Sequence, residues 1–64
     1  METYLNIDLI EDCHTEIWFY KWTSEQPYEV LAVSDKGYQS IGFIDDLNEL
    51  KEINLPIYHK CPYN

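Results

Sequence analysis

The chain has 64 residues and a mass of 7.7 kDa, which is enough for one thin core and no more. We therefore expect a single domain over residues 1–64. A dinucleotide-binding fold is excluded, because it needs a longer chain. Twelve acidic residues face four lysines, arginine is absent, and the net charge is −8. This balance argues against direct binding to nucleic acid or to an anionic membrane, since both need cationic side chains.

The compartment is predicted from the first residues and from the cysteines. Residues 1–10 contain Glu2 and Asp8 and no basic residue, so we expect no signal peptide, and no apolar run approaches membrane length. Cys13 and Cys61 are fewer than a disulfide scaffold usually carries. We expect both to be reduced thiols in the cytoplasm.

Two strands are predicted in the first third of the chain. In residues 4–10, Leu5, Ile7 and Leu9 alternate with polar residues, which is the period of a half-buried strand. Residues 11–14 read as an acidic turn, and residues 15–22 are rich in β-branched and aromatic side chains. With Ile17 and Phe19 on the core side, the other face carries a second set of side chains: Glu16, Trp18, Tyr20 and Trp22.

A hairpin follows after the loop of residues 23–27. Residues 28–33 and 38–44 flank the turn Ser34-Asp35-Lys36-Gly37, in which Gly37 supplies the positive φ. The first of these strands is apolar on both faces, which is typical of a central or doubly covered strand. In the second, we expect Ile41 and Phe43 to point the same way and Gly42 to leave room for close packing.

The last third predicts a short helix and an edge strand. Asp46 is a helix cap with Glu49 three positions later, and Leu47, Leu50 and Ile53 recur at threes to form one apolar stripe. Pro56 stops the helix, and residues 57–61 read as a short edge strand. The expected fold class is α+β: an antiparallel meander of three to four strands with one short helix packed on one face.

A metal site and an active site are both disfavoured. Cys13-His14 and His59-x-Cys61 offer two thiolates and two imidazoles, but adjacent ligands are a poor spacing for structural zinc. No nucleophile stands beside a base, and no pair of carboxylates has an apolar setting that would tune its pKa. We expect no enzyme activity, no metal and no cofactor.

Aromatic and acidic residues are the candidate partner-binding groups. If the first two strands pair, Trp18, Tyr20 and Trp22 share a face with Tyr4, Asn6 and Asp8, and such a cluster resembles a protein interface. The alternative is that the helix covers this face and makes it core. The candidate charged portion consists of residues in two acidic groups: Glu11, Asp12, Asp45, Asp46 and Glu49. The alternative explanation of these charges is ordinary turn solubility and helix capping, and for Asp46 with Glu49 it is the better explanation.

The leading hypothesis is a small non-enzymatic protein that inhibits or neutralises a basic partner, such as a nucleic-acid-handling protein. It would act as a phage-type inhibitor or DNA mimic, as a monomer or a homodimer. Eight charges match about 14 Å of duplex, near four base pairs, so a monomer would block only a short contact. The alternatives are an antitoxin or immunity protein against a cationic toxin, and an accessory subunit of a larger assembly.

Overall fold

The computed structural model describes residues 2–63 and contains a single five-stranded sheet. The strands are β1 (Tyr4–Leu5), β2 (Glu16–Lys21), β3 (Tyr28–Ser34), β4 (Gly37–Ile44) and β5 (Ile57–His59), with 3-10 turns at Ile7–Leu9 and Leu47–Glu52. The strand order is β1-β4-β3-β2-β5. Strand β5 runs parallel to β2 and the other neighbours are antiparallel, so the sheet is mixed.

The hairpin is confirmed. Strands β3 and β4 pair in antiparallel register from Tyr28 opposite Ile44 to Ser34 opposite Gly37. Gly37 adopts a φ of 144°, in the range that favours glycine. Strand β3 is the central strand of the sheet and is buried along nearly its whole length, as its apolar residues on both faces predict.

The predicted α+β fold class is wrong, because the expected helix is a 3-10 turn. Within residues 2–63 the structure forms no α-helix, and none of its helical segments is long and apolar enough to cross a membrane. In the second turn the bonds run three residues back, from the Glu49 N–H to the Asp46 carbonyl and from the Ile53 N–H to the Leu50 carbonyl. Apolar residues spaced at threes suit this geometry better than the 3.6-residue period of an α-helix.

The predicted first strand is much shorter than expected, and it pairs with a different partner. The Asn6 side chain accepts a hydrogen bond from the Asp8 N–H and starts the first 3-10 turn, which ends the strand at Leu5. Strand β1 pairs with β4, not with β2. Strand β2 has β5 on its other side, so the predicted edge strand exists but is parallel to its neighbour. The sheet is therefore not an antiparallel meander.

An irregularity in β4 separates two residues that were expected to share a face. Val30 lies opposite Gly42 and Leu31 opposite Ser40, which leaves Ile41 as an extra residue in β4. Ile41 is fully buried in the main core, whereas Phe43 lies opposite Glu29 on the other side of the sheet. The extra residue moves the alternation of β4 by one position and so changes which face the later residues occupy.

The two faces of the sheet are packed differently. The core face is formed by buried aliphatic side chains of the sheet and the second 3-10 turn: Ile17, Val30, Ala32, Ile41, Ile44, Leu50 and Ile53. The aromatic face has a smaller buried cluster of Tyr20, Leu31 and Val33, with Trp18 packed against it. The predicted orientation of β2 is confirmed, because Ile17 lies on the core face and Trp18 and Tyr20 lie on the other.

Candidate binding face

The aromatic face gathers most of the aromatic side chains of the chain. Strand register places Tyr20, Glu29, Phe43 and Tyr4 in one row across the sheet, and places Tyr58 beside Trp18. Contacts between aromatic rings add further side chains to this face. Its aromatic members are Tyr4, Trp18, Tyr20, Trp22, Tyr38, Phe43, Tyr58 and Tyr63.

Glu29 lies at the centre of this face and is only 7% exposed. Its Oε1 accepts hydrogen bonds from the Tyr20 hydroxyl and from the Trp22 Nε1–H, the latter at 3.0 Å. Burial raises the pKa of the Tyr20 phenol far above its ordinary value, and the hydrogen bond to Glu29 and the charge of Glu29 raise it further. Tyr20 therefore keeps its proton at neutral pH and remains a hydrogen-bond donor to the carboxylate.

Tyr63 covers part of this face from the C-terminal segment. Its ring stacks on Trp22 with centroids 5.0 Å apart, and it meets Tyr20 edge-on at 5.8 Å and Tyr38 edge-on at 5.5 Å. Partial burial raises the pKa of the Tyr38 phenol, and its contact with Tyr63 adds to the effect. The rings hold one another in place without closing the face, since Trp22 is still 54% exposed.

A second carboxylate lies on the same face beside Trp18. The Trp18 Nε1–H donates to the Glu16 Oε1 at 2.7 Å, and the Lys60 Nζ sits 4.9 Å from the centre of the Trp18 ring. The cavity next to this ring has a volume of about 500 Å³ and is lined by Trp18, Tyr38, His59, Lys60, Cys61 and Pro62. A positive charge of the chain itself thus already lies over the half-buried ring of Trp18.

A smaller cavity lies beside Trp22. It has a volume of about 350 Å³ and is lined by Trp22, Thr23, Gln26 and Phe43. Glu29 is not among the residues that line it, although Glu29 is the cross-strand neighbour of Phe43 and accepts a hydrogen bond from Trp22.

The predicted partner-binding residues fall into two separate groups. Glu16, Trp18, Tyr20 and Trp22 come together on the aromatic face. Tyr20, however, is only 3% exposed and is part of the small cluster beneath that face.

The predicted acidic residues lie in the segments that pack on the core face or connect to it. Asp8 is in the first 3-10 turn and is not beside the aromatic residues of β2, because β1 and β2 lie on opposite sides of the β3–β4 hairpin. Asp46 caps the second turn through a hydrogen bond from the Asn48 N–H, with Glu49 in the first turn. The remaining exposed members of this group are Glu11, Asp12 and Asp45.

Sequence reasoning missed three residues that define the face. Glu29 had a visible signal, because it is a carboxylate within a strand that is otherwise apolar on both faces. Phe43 was expected to point the same way as Ile41, because the irregularity in β4 leaves no mark in the sequence. Tyr63 reaches the face only through the tertiary path of the C-terminal segment, which no local pattern reveals.

The four residues weighed as zinc ligands do not meet within residues 2–63. The set of neighbouring potential ligands there consists of Glu11, Cys13 and His14 and includes neither His59, which stacks on Phe19, nor Cys61. The His14 Nδ1 accepts a hydrogen bond from the Glu11 N–H at 2.8 Å, so the neutral ring carries its proton on Nε2. His14 therefore has no ring nitrogen free to bind a metal, and the cluster is explained as a turn that this hydrogen bond stabilises.

No protein-family model matches the chain, and comparisons with curated proteins and with solved structures give no significant match.

Proposed function

We propose that this chain is a small non-enzymatic protein that binds and inhibits or neutralises a basic protein partner through its aromatic face. The observation that carries the proposal is the concentration of exposed rings around acidic groups on one face of the sheet. Tyr4, Trp22, Tyr38, Tyr58 and Tyr63 are each between 44% and 58% exposed. Tryptophan and tyrosine are the residues that most often dominate the binding energy of protein interfaces.

Charge supports a basic partner. The net charge is −8, and two carboxylates, Glu16 and Glu29, accept hydrogen bonds from tryptophans on the face itself. The exposed acidic residues at the ends and on the far side of the sheet add a long-range field. Such a field speeds the approach of a positively charged partner and discourages acidic ones.

More specifically, we propose that the partner is a nucleic-acid-handling protein in the cytoplasm and that this chain acts as an inhibitor of the phage type. The molecule measures 32 × 27 × 16 Å, so its broad face suits a short basic contact surface and does not reproduce a long duplex. A cytoplasmic location agrees with Cys13 and Cys61, which are both free and exposed.

The groups around Glu29 support binding rather than catalysis. The raised pKa of Tyr20 keeps this hydroxyl protonated, so it is a poor base and a poor nucleophile at neutral pH. The other neighbours, Trp22 and Phe43, carry no group that attacks a substrate or transfers a proton.

The test is a comparative capture from lysates of cells in which the protein occurs, using three tagged forms. These are the wild type, the aromatic-face variant W22A/Y38A and the acidic-turn variant E11Q/D12Q. We expect a basic partner to be retained by the wild type, lost with W22A/Y38A, and retained at reduced level with E11Q/D12Q. Equal retention by all three forms, or capture of an acidic partner, would overturn the proposal.

The identity and salt dependence of the captured partner separate the proposal from its alternatives. A cationic toxin would show an antitoxin role, and a nucleic-acid enzyme would show an inhibitor role. Association that slows as salt increases indicates charge steering, whereas association insensitive to salt indicates a permanent subunit contact.

A further inference from the structure

Strand β4 is longer than the strand that pairs with its outer side. Within residues 2–63, β1 pairs with β4 only at Gly42 and Phe43, and one further bond joins the Asn6 N–H to the Ile41 carbonyl. The first four residues of β4, Gly37–Ser40, lie beyond this pairing, are all exposed and form an open edge of the sheet. We propose that this open edge binds an extended segment of the basic partner as an added antiparallel strand. The inference rests on the proposed function and names a backbone contact that holds the partner.

The backbone groups of two residues point toward the open edge. The Val33 carbonyl accepts a hydrogen bond from the Thr15 N–H just before β2, so it points away from β4. Tyr38 lies opposite Val33, and the two therefore form a non-hydrogen-bonded pair of the antiparallel β3–β4 ladder. The N–H and carbonyl of Tyr38 face outward for this reason, and those of Ser40 follow because the backbone direction repeats every second residue.

These groups match what an added strand presents. Tyr38 and Ser40 offer two N–H donors and two carbonyl acceptors, separated by one residue. An antiparallel neighbour carries the complementary four groups on two alternate residues, so a segment of three extended residues satisfies them all. In such strand addition the main-chain bonds give affinity and the alternate side chains give specificity.

The geometry and the charge favour a partner segment over a second copy of this chain. In a two-fold pairing of β4 with itself, Tyr38 lies opposite Ser40 of the copy, which brings Gly37 of the copy opposite Ile41. The Ile41 carbonyl already accepts the Asn6 N–H, so the hairpin turn of the copy runs into the end of β1. Two copies, each with a net charge of −8, also repel each other. A partner segment turns away from the sheet before it reaches Asn6.

The side chains beside the edge define the kind of segment. Tyr38 and Ser40 lie opposite Val33 and Leu31, which belong to the buried cluster of the aromatic face. The exposed ring of Tyr38 is available to a cross-strand neighbour, which favours an aromatic or β-branched residue in the added strand. The net charge of −8 favours lysine or arginine on either side of it.

The test is amide hydrogen exchange of the full chain, measured by NMR with the capped peptide acetyl-KTVYVTK-amide as the probe. The reporters are the amides of Tyr38 and Ser40, and the reference is the amide of Gln39, which faces β3. Once about nine-tenths of the chain carries peptide, exchange at the reporters should slow about tenfold, because only the free fraction exchanges. Exchange at Gln39 should stay as it is. Reporters that are not slowed by millimolar peptide would overturn the inference.

Two N-methylated forms of the peptide are matched controls, each with three N-methyl groups. Methylation of alternate residues leaves one complete row of N–H groups, so this form should bind like the parent. Methylation of the three central residues leaves no two alternate N–H groups, so this form should lose binding. Equal binding of both forms would show a contact other than strand pairing and reject the proposed edge.

A peptide with glutamates in place of the lysines tests the charge of the segment. It should bind more weakly than the parent, and the difference should shrink as salt increases, because salt screens the negative charge of the chain. A glutamate peptide that binds as tightly as the parent at low salt would show that the segment need not be basic, against the inference.

Two variants test the edge from the side of the protein. Ser40→Pro removes an outward N–H at a position where a sheet edge accepts proline, and Ser40→Ala keeps that N–H. Ser40→Pro should lose the peptide and Ser40→Ala should bind it. A folded Ser40→Pro that binds like the wild type would contradict the proposal, and the N-methylated peptides decide the question on the wild type if this variant does not fold.

A dilution series of the free chain tests for a second copy. Exchange at Tyr38 and Ser40 should not depend on protein concentration. Slower exchange at higher concentration would show that the chain pairs with itself and would overturn the choice of occupant.

The two proposals fail in different ways. If Ser40→Pro captures the partner as well as the wild type while W22A/Y38A loses it, the edge is wrong and the binding function stands. If the peptide binds by strand pairing while no basic partner is captured, the edge stands and the proposed function is wrong.

Discussion

The two faces of the sheet are built from alternate residues of the same strands, yet they are closed by different means. On the core face, aliphatic side chains of β2, β3 and β4 pack against Leu50 and Ile53 of the second 3-10 turn. On the aromatic face, a smaller buried cluster is covered in part by Tyr63, and large rings stay exposed. A chain of 64 residues has enough material to cover one face fully. The second face keeps several large rings exposed to solvent.

Carboxylates serve different purposes on the two sides. Near the core face, Asp46 accepts a backbone N–H and fixes the start of a turn. On the aromatic face, Glu16 and Glu29 accept indole N–H groups and hold Trp18 and Trp22 in fixed orientations. The turn carboxylates support the fold locally, whereas those of the aromatic face organise a surface.

The largest expected effect comes from neighbouring residues of β2 that point to opposite faces. Ile17 is fully buried in the core cluster, whereas Trp18 is half-buried on the aromatic face. Ile17→Ala should lower the free energy of unfolding by about 2–5 kcal/mol, enough to unfold much of a domain this small. Trp18→Ala should cost less than Ile17→Ala despite removing a larger side chain. Urea denaturation followed by circular dichroism measures both, and a larger loss for Trp18→Ala would reverse the assignment of the faces.

A pair of glycines tests how β1 joins the sheet. A Cβ at Gly42 would overlap the Tyr4 carbonyl and approach the Leu5 Cα to 2.9 Å, at a φ of 156°. Gly42→Ala should therefore cost about 2–3 kcal/mol and release β1 from β4. Gly37→Ala meets no atom within 4 Å and should cost only about 1–2 kcal/mol of backbone strain. Hydrogen exchange at the Asn6 N–H, which donates to the Ile41 carbonyl, should rise in the first variant alone.

Alkaline pH should weaken the aromatic face. The pKa of Tyr20 is raised in the folded state by burial and by Glu29, so the unfolded chain loses this proton first as pH rises. The stabilisation is fully present below the ordinary tyrosine pKa near 10 and is lost progressively above it. Thermal melting between pH 8 and pH 11 should show a falling midpoint. Tyr20→Phe should flatten that fall, and an unchanged pH dependence in this variant would assign the effect to other groups.

The sequence predicts the sheet well where the signal is local. The Gly37 turn, the alternation of β2 and the doubly apolar β3 all follow from residues within each segment. The close approach at Gly42 was also anticipated, and the backbone of Tyr4 and Leu5 confirms it. These features depend on pleat geometry and turn chemistry, which act over a few residues.

The wrong predictions concern features that depend on contacts between distant parts of the chain, or on a choice between two helix types with similar periods. A spacing of three between Leu47 and Leu50 is compatible with both an α-helix and a 3-10 helix, so the sequence pattern alone does not decide between them. The pairing of β1 with β4 and of β5 with β2 is decided by tertiary packing. The position of Phe43 beside Glu29 depends on the irregularity in β4, and the contact of Tyr63 with Trp22 depends on the path of the C-terminal segment. The tryptophans and Glu16 of the candidate site were therefore predictable, whereas the only sequence signal for Glu29 was its charge within an apolar strand.

The smallest expected effect concerns the two cysteines, one near each end of the chain. Cys13 and Cys61 are both free and exposed, and they do not come together in one ligand set. The double variant C13S/C61S should therefore change the free energy of unfolding by no more than about 0.5 kcal/mol, as is usual for surface substitutions. A melting midpoint within about 4 °C of the wild type, unaffected by a chelator, would agree with a fold held by the two faces of the sheet alone. Loss of cooperative melting would instead show that a thiol or a bound metal contributes to the fold. The His14 ring makes a metal contribution at the first cysteine chemically unfavourable, because its Nδ1 is already an acceptor for the Glu11 N–H.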